Sequence, residues 1–207
     1  MLLLVGLGNP GAEFAKHRHN IGFMAVEAIA ARHKFGPWKK KFQGECADGA
    51  IAGQKCLALK PQTYMNESGR SVSEAARFFK IPDSKIIVFY DELDLAPGRF
   101  RMKTGGGSAG HNGIRSMMAH LESDFRRGRM GIGHPGDKAL VHNHVLSDFS
   151  KTEMKWVEPL CAAIARAVGM AVMGADEKFQ AEVMRLAPAA KADPRKPARP
   201  MGPADEA

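Results

Sequence analysis

The chain has 207 residues, 44% of them hydrophobic, enough for one full-sized core and too few for a second large domain. A net charge of +8 and a pI of about 9.5 suit a polyanionic partner, though a solvated basic surface would account for the charge equally well. Cys46, Cys56 and Cys161, an odd count with no C-x-x-C pair, argue against a disulfide framework and for a reducing compartment.

Leu2-Leu3-Leu4-Val5 opens the chain as a buried strand over residues 2–7, too short for a signal-peptide core or a membrane span. A soluble cytoplasmic protein is therefore expected. The turn Gly6-Leu7-Gly8-Asn9-Pro10-Gly11 matches G-x-G-x-x-G formally. The true dinucleotide fingerprint opens directly into a helix and needs an acidic residue at a second strand end, whereas here a polar, histidine-rich segment follows. The turn is better read as exposing Asn9 at the carboxyl end of a strand, where open α/β sheets build their sites. Asn20 is placed to cap a helix carrying Ile21, Met24, Ala25, Ala28 and Ile29 on one face.

Residues 43–52 and 55–60 read as two strands joined at Ala52-Gly53-Gln54. From Ser68 the spacing Val72, Ala75, Ala76, Phe79 predicts a helix that stops before Pro82. Lys85 to Tyr90 is a β-branched and aromatic strand running into Asp91. A turn at Pro97-Gly98, a short strand over 99–103, and the stretch Gly105 to Gly110 lead to a helix from Asn112 to Leu121. That glycine stretch lacks the Lys-Ser/Thr ending of a nucleotide-phosphate loop, and reads either as a mobile gate that presents Asn112 beside free helix N–H groups or as a plain surface loop. A strand over 127–133 follows, and Ser150-Lys151-Thr152-Glu153 is a capping box for a C-terminal helical region that Pro159 should kink or split.

From Ala187 the composition becomes Ala/Pro/Lys-rich, so residues 1–186 are expected to form one domain and 187–207 a disordered tail. Alternating strands and helices give an α/β class: a single domain with three α/β/α layers around a central mixed sheet.

Three asparagines (Asn9, Asn66, Asn112), one imidazole (His19) and one strand-end carboxylate (Asp91) stand at chain reversals. A base, a group to orient it and neutral amides to hold a carbonyl are a kit for a metal-free hydrolase. Asp91 needs a partner, because an unpaired charge at the end of a buried strand is costly, and His19 is the candidate. None of the eight histidines stands in a zinc-binding spacing, and Glu92 and Asp94 read as turn formers or solvated charges, so no metal and no cofactor are expected.

Taken together, these segments resemble bacterial-type peptidyl-tRNA hydrolase. The matching stretches, in the family's order, are Val5 to Gly11, Arg18-His19-Asn20, Lys60 to Asn66, Asp91-Glu92-Leu93-Asp94, Gly105-Gly106-Gly107 with Gly110-His111-Asn112-Gly113, and Arg129 to Gly136. The resemblance implies cleavage of the ester joining a peptide to the 3′-terminal ribose of tRNA. It makes His19 the catalytic base and Asp91 the residue that stabilises its proton-accepting form. It makes Asn9 the discriminator between peptidyl- and aminoacyl-tRNA. Asn66 and Asn112, with Tyr64 and Met65, become substrate contacts, and Lys103 and Arg129 the clamp on the tRNA 5′-phosphate. Phe14 replaces a tyrosine of the family, keeping the ring and losing a phenolic hydrogen bond. Peptidyl-tRNA is thus the expected partner of a monomer that needs no membrane or protein partner. The rival reading is a catalytically inactive RNA-binding protein on the same fold, which loss of His19 or Asp91 would have favoured. A nucleotide-dependent oxidoreductase would rest on the glycine turn alone.

Overall fold

Leu2 and Leu4 point to one side of a buried strand and Leu3 and Val5 to the other, and each pair lies in a different core cluster. A strand buried on both faces needs helices on both sides. The computed structural model describes residues 1–122 and 124–189, and it has this layered form. Among the described residues the strands are β1 (Leu2–Gly6), β2 (Lys39–Lys41), β3 (Gly44–Ile51), β4 (Gln54–Pro61), β5 (Ile86–Glu92), β6 (Phe100–Thr104) and β7 (Arg126–Gly131). They form one sheet in the order β2-β3-β4-β1-β5-β7-β6. β1 runs parallel to β4 and β5, and β5 to β7, while β2, β3 and β6 are antiparallel additions toward the edges. The sheet is mixed, as the hairpin-like segments predict.

The helices are α1 (Ile21–Arg32), α2 (Ser68–Phe79), α3 (Asn112–His120), α4 (Val141–Val145), α5 (Lys151–Val172) and α6 (Asp176–Leu186). α1, α5 and α6 cover the face of Leu2, Leu4, Ile87 and Phe89. α2 and α3 cover the face of Leu3, Val5, Val88 and Tyr90. Ala52 and Gly53 form the two-residue β3–β4 turn with φ of 49° and 75°, the left-handed backbone that matches strand twist.

α1 sits on β1 with no side chain between them. A Cβ on Gly6 would fall on the carbonyl of Gly22, and one on Gly22 would fall on the carbonyl of Phe89. The glycines at 6 and 22 therefore serve close helix–strand packing, a role that needs no nucleotide.

Several expectations are corrected. Asn20 does stand at the N-cap of α1, but its side chain makes no cap hydrogen bond. β7 stops at Gly131 rather than at 133, and β2 and α4 are additional elements. Pro159 does not split the helix, since α5 runs unbroken from Lys151 to Val172. Pro159 and Lys155 are both on the exposed side, so the carbonyl that the proline leaves unpaired is open to water. Ala187 is buried against the core and extends the folded body past 186. The rest of the expected tail, from 190 on, lies outside the described residues. Among the described residues no helix is long and apolar enough to cross a membrane.

Candidate active site

The carboxyl ends of β1, β4 and β5 converge on a cavity of about 860 Å³. Its walls include Asn9, His19, Tyr64, Met65, Asn66, Asp91, Glu92, His111 and Asn112, with His134, Lys138 and His142 also on the wall. Each arrives by a different local device. Asn9 lies in the turn after β1. His19 is the middle residue of a single 3-10 turn (Arg18–Asn20) that runs directly into α1. Tyr64, Met65 and Asn66 follow β4, and Asp91 is next to last in β5.

Asp91 is the centre of the polar network. It is 2% exposed and accepts from two imidazoles. His19 Nδ1 lies 2.8 Å from Oδ2 and 2.9 Å from Oδ1, and His111 Nε2 lies 3.0 Å from Oδ1. The backbone dictates the tautomer of His111. Its Nδ1 accepts from the N–H groups of Gly113 (3.1 Å) and Ile114 (3.3 Å), capping α3, so its proton stands on Nε2 and is donated to Asp91. Burial of Asp91 works against its anion, yet the two imidazoles outweigh burial and hold its carboxyl well below the usual range. Burial also works against a charged His19, but the Asp91 charge and hydrogen bond prevail and raise the His19 pKa above its ordinary value. With Nδ1 engaged by Asp91, the nitrogen of His19 left for the cavity is Nε2.

Asn9 is held just as firmly. Asn20 accepts from its N–H (3.0 Å) and donates to its carbonyl (2.9 Å), while Asn9 Oδ1 accepts from the N–H of Met65 (2.8 Å). With Oδ1 turned to the Met65 N–H, the Nδ2 donors of Asn9 are left for substrate. Asn20 thus shapes the site rather than capping α1. Arg18 closes the outer side with a fork onto Glu153 (2.7 and 2.9 Å), the same carboxylate that completes the capping box of Ser150 at α5. Asn66 and Asn112 are exposed at the mouth, where they also line an adjoining groove with Arg115 and His120.

His111 was not singled out from sequence, since a histidine in a glycine-rich turn gives no sign of its partner. Its place one residue before a helix was the available signal. The same cap corrects one expectation: the Gly113 and Ile114 N–H groups are satisfied by His111 and are not free for an oxyanion. Glu92 also differs from expectation. It is buried, its Oε2 lies 3.8 Å from Arg129 Nη1, and burial, opposed by the Asp94 N–H and by Arg129, raises its pKa.

Phe14, Lys103 and Arg129 are not on the cavity wall. Phe14 is half-buried, edge-on to His17 at 5.2 Å. Lys103 (β6) pairs with Arg127 (β7), and Arg101 with Arg129, so Lys103 and Arg129 are diagonal neighbours on one sheet face. His19, Asp91 and His111 present ligand atoms within 4.8 Å of one another, which a metal ion could use only by displacing the hydrogen bonds just described.

The family model for peptidyl-tRNA hydrolase matches residues 3–192. A peptidyl-tRNA hydrolase of Phenylobacterium zucineum is 63% identical over 200 residues, covering 95% of this chain and 96% of the relative. One of Caulobacter vibrioides is 56% identical over 203 residues, covering 96% and 99%. The crystal structure of the Acinetobacter baumannii peptidyl-tRNA hydrolase superposes with a TM-score of 0.86 at 39% identity, over 91% of this chain and 97% of that one. With family model, sequence relatives and solved fold in accord over nearly its whole length, the chain belongs to the peptidyl-tRNA hydrolase family of carboxylic ester hydrolases.

Proposed function

We propose that this protein hydrolyses the ester between a peptide and the 3′-terminal ribose of tRNA, with His19 as general base and without a metal ion. The observation that carries this reading is the buried His19–Asp91 pair opening onto a cavity that also holds Asn9, Asn66 and Asn112. Asp91 keeps the His19 proton on Nδ1, so Nε2 takes a proton from water as the water oxygen bonds to the ester carbonyl carbon. Asp91 stabilises the imidazolium so formed. Amide donors, Asn9 Nδ2 among them, hold the oxygen that becomes negative. The His19 proton then passes to the ribose oxygen as the ester C–O bond breaks. A ribose hydroxyl is a better leaving group than an amine, so one base with amide donors suffices.

Tyr64, 63% exposed at the mouth, offers a stacking face to the tRNA end, with Met65 packed below it and Phe14 outside the cavity as a second ring. Lys103 and Arg129 hold the 5′-phosphate. The retained His19 and Asp91 favour the enzyme over an inactive RNA-binding protein. Since the substrate is tRNA and the cysteines are free, we place the activity in the cytoplasm, carried out by a monomer. Release of peptide from N-blocked aminoacyl-tRNA by purified protein, with a chelator present, tests the reading. No release refutes the activity, and release that returns only on adding a divalent ion refutes the metal-free route.

A further inference from the structure

Arg127 on β7 is 2% exposed, yet among the described residues no carboxylate lies within ion-pair distance of it. Its guanidinium spends its donors on backbone instead. Nη1 donates to the carbonyl of Gly107 (2.6 Å) and Nη2 to that of Gly106 (2.7 Å), and the group lies 4.7 Å from the Phe125 ring centroid. Nε has no partner. A buried cation without a counter-ion is an expensive way to stabilise a core, and an apolar side chain would serve better. What the fork supplies is control of two adjacent peptide units between the Gly105 N–H, which donates to Phe125, and the turn that the His111 N–H closes onto Ser108. Gly105 and Gly106 have φ of 67° and 91°, and glycines there leave the chain many alternatives.

That segment joins two parts of the proposed machinery. On one side it carries Lys103, whose side chain lies along Gly106: a Cβ there would meet Lys103 Cε at 2.9 Å and Nζ at 3.1 Å. On the other it continues through Ser108, Ala109 and Gly110 on the cavity wall to His111, which donates to Asp91, and to Asn112. We propose that Arg127 is a positioning residue for hydrolysis, a two-carbonyl fork that fixes the glycine segment and thereby the placement of His111 and Asn112 against Asp91. This rests on the reading above that His19, Asp91 and Asn112 carry the reaction.

The test compares Arg127→Lys, which keeps charge but cannot bridge both carbonyls, with the parent protein. Turnover is measured on full-length N-blocked aminoacyl-tRNA and on a short acylated 3′-end oligonucleotide, and amide hydrogen exchange is followed over residues 104–112. The expected result is a fall in kcat of roughly tenfold on both substrates, because small misplacements of catalytic groups carry penalties of that order. Exchange is expected to quicken in 104–112 alone. Parent-like kcat, or a loss confined to KM for full-length tRNA, overturns the proposal, the latter making Arg127 a phosphate-binding charge. Unchanged exchange overturns it too. Should Arg127→Lys not fold, Gly106→Ala perturbs the same segment from its exposed side, and parent-like kcat there is equally fatal. If turnover survives loss of His19, the base assignment falls, while the exchange result still reports whether Arg127 holds the segment.

Discussion

In Asp91→Asn the shape of the side chain is kept and its charge removed. The oxygen retained at Oδ1 can still accept from His111 Nε2, as it does at 3.0 Å in the parent. The new Nδ2 then stands where Oδ2 was, 2.8 Å from His19 Nδ1, and sets N–H against N–H there, leaving His19 only Oδ1, at 2.9 Å and already shared with His111. Rotating the amide gives no relief. His111 would have to move its proton to Nδ1, leaving the Gly113 and Ile114 N–H groups unsatisfied, at about 1–3 kcal/mol each. The cheaper escape is for His19 to shift its proton to Nε2, the nitrogen that has to accept one. The same tautomer trap in Ser-His-Asp hydrolases costs about 10⁴-fold, and a positioned base is worth roughly 10²–10⁴, so kcat should fall within that range. The acidic limb of the pH–rate profile reports the second consequence. Asp91 raises the His19 pKa, so without the anion the limb moves to lower pH. Steady-state release from N-blocked aminoacyl-tRNA across pH measures both. A rate within about threefold of the parent and an unmoved limb would refute the coupling.

His19→Ala should reduce turnover by roughly two to four orders of magnitude in the same assay, and near-parent turnover would remove the base assignment. Lys103→Ala or Arg129→Ala should raise KM for full-length peptidyl-tRNA and flatten its salt dependence, while leaving a short acylated 3′ end nearly unaffected. Equal losses on both substrates would reject the clamp. Gly22→Ala places a methyl group on the Phe89 carbonyl and should destabilise the fold by about 1–3 kcal/mol or more in denaturant titration. Parent-like stability would mean that α1 can move off β1 without penalty.

Where the sequence was legible, it was because period and turn chemistry act locally. The Val72, Ala75, Ala76, Phe79 spacing gave α2, the Ala52-Gly53 turn gave the β3–β4 hairpin, and Ser150 with Glu153 gave the start of α5. β2 was missed because Lys39-Lys40-Lys41 is an exposed edge with no apolar alternation. In the site, His19 and Asp91 were paired in advance by the cost of a lone buried carboxylate, a chemical constraint that needs no coordinates. His111 and Asn20 could not be placed in the same way. One shares Asp91 across 20 residues and the other grips Asn9 across 11, and both are long-range facts about where turns meet. The buried Arg127 gives no sign in sequence, standing as it does in a strand with Arg126 and Arg129.

The backbone contact between α1 and β1 has a bearing on how this protein can change. His19 stands three residues before Gly22, and Gly22 is seated against main-chain atoms of Leu7 and Phe89, not against side chains. The height of the base above the sheet is therefore set by peptide geometry that neighbouring residues share whatever their side chains. Leucines, valines and phenylalanines around it can be exchanged for others of similar bulk, with the core drifting accordingly, and the imidazole keeps its coordinates. Sequence divergence inside the barrier of those two glycines should leave the chemistry untouched, whereas a single methyl group at Gly22 should displace it.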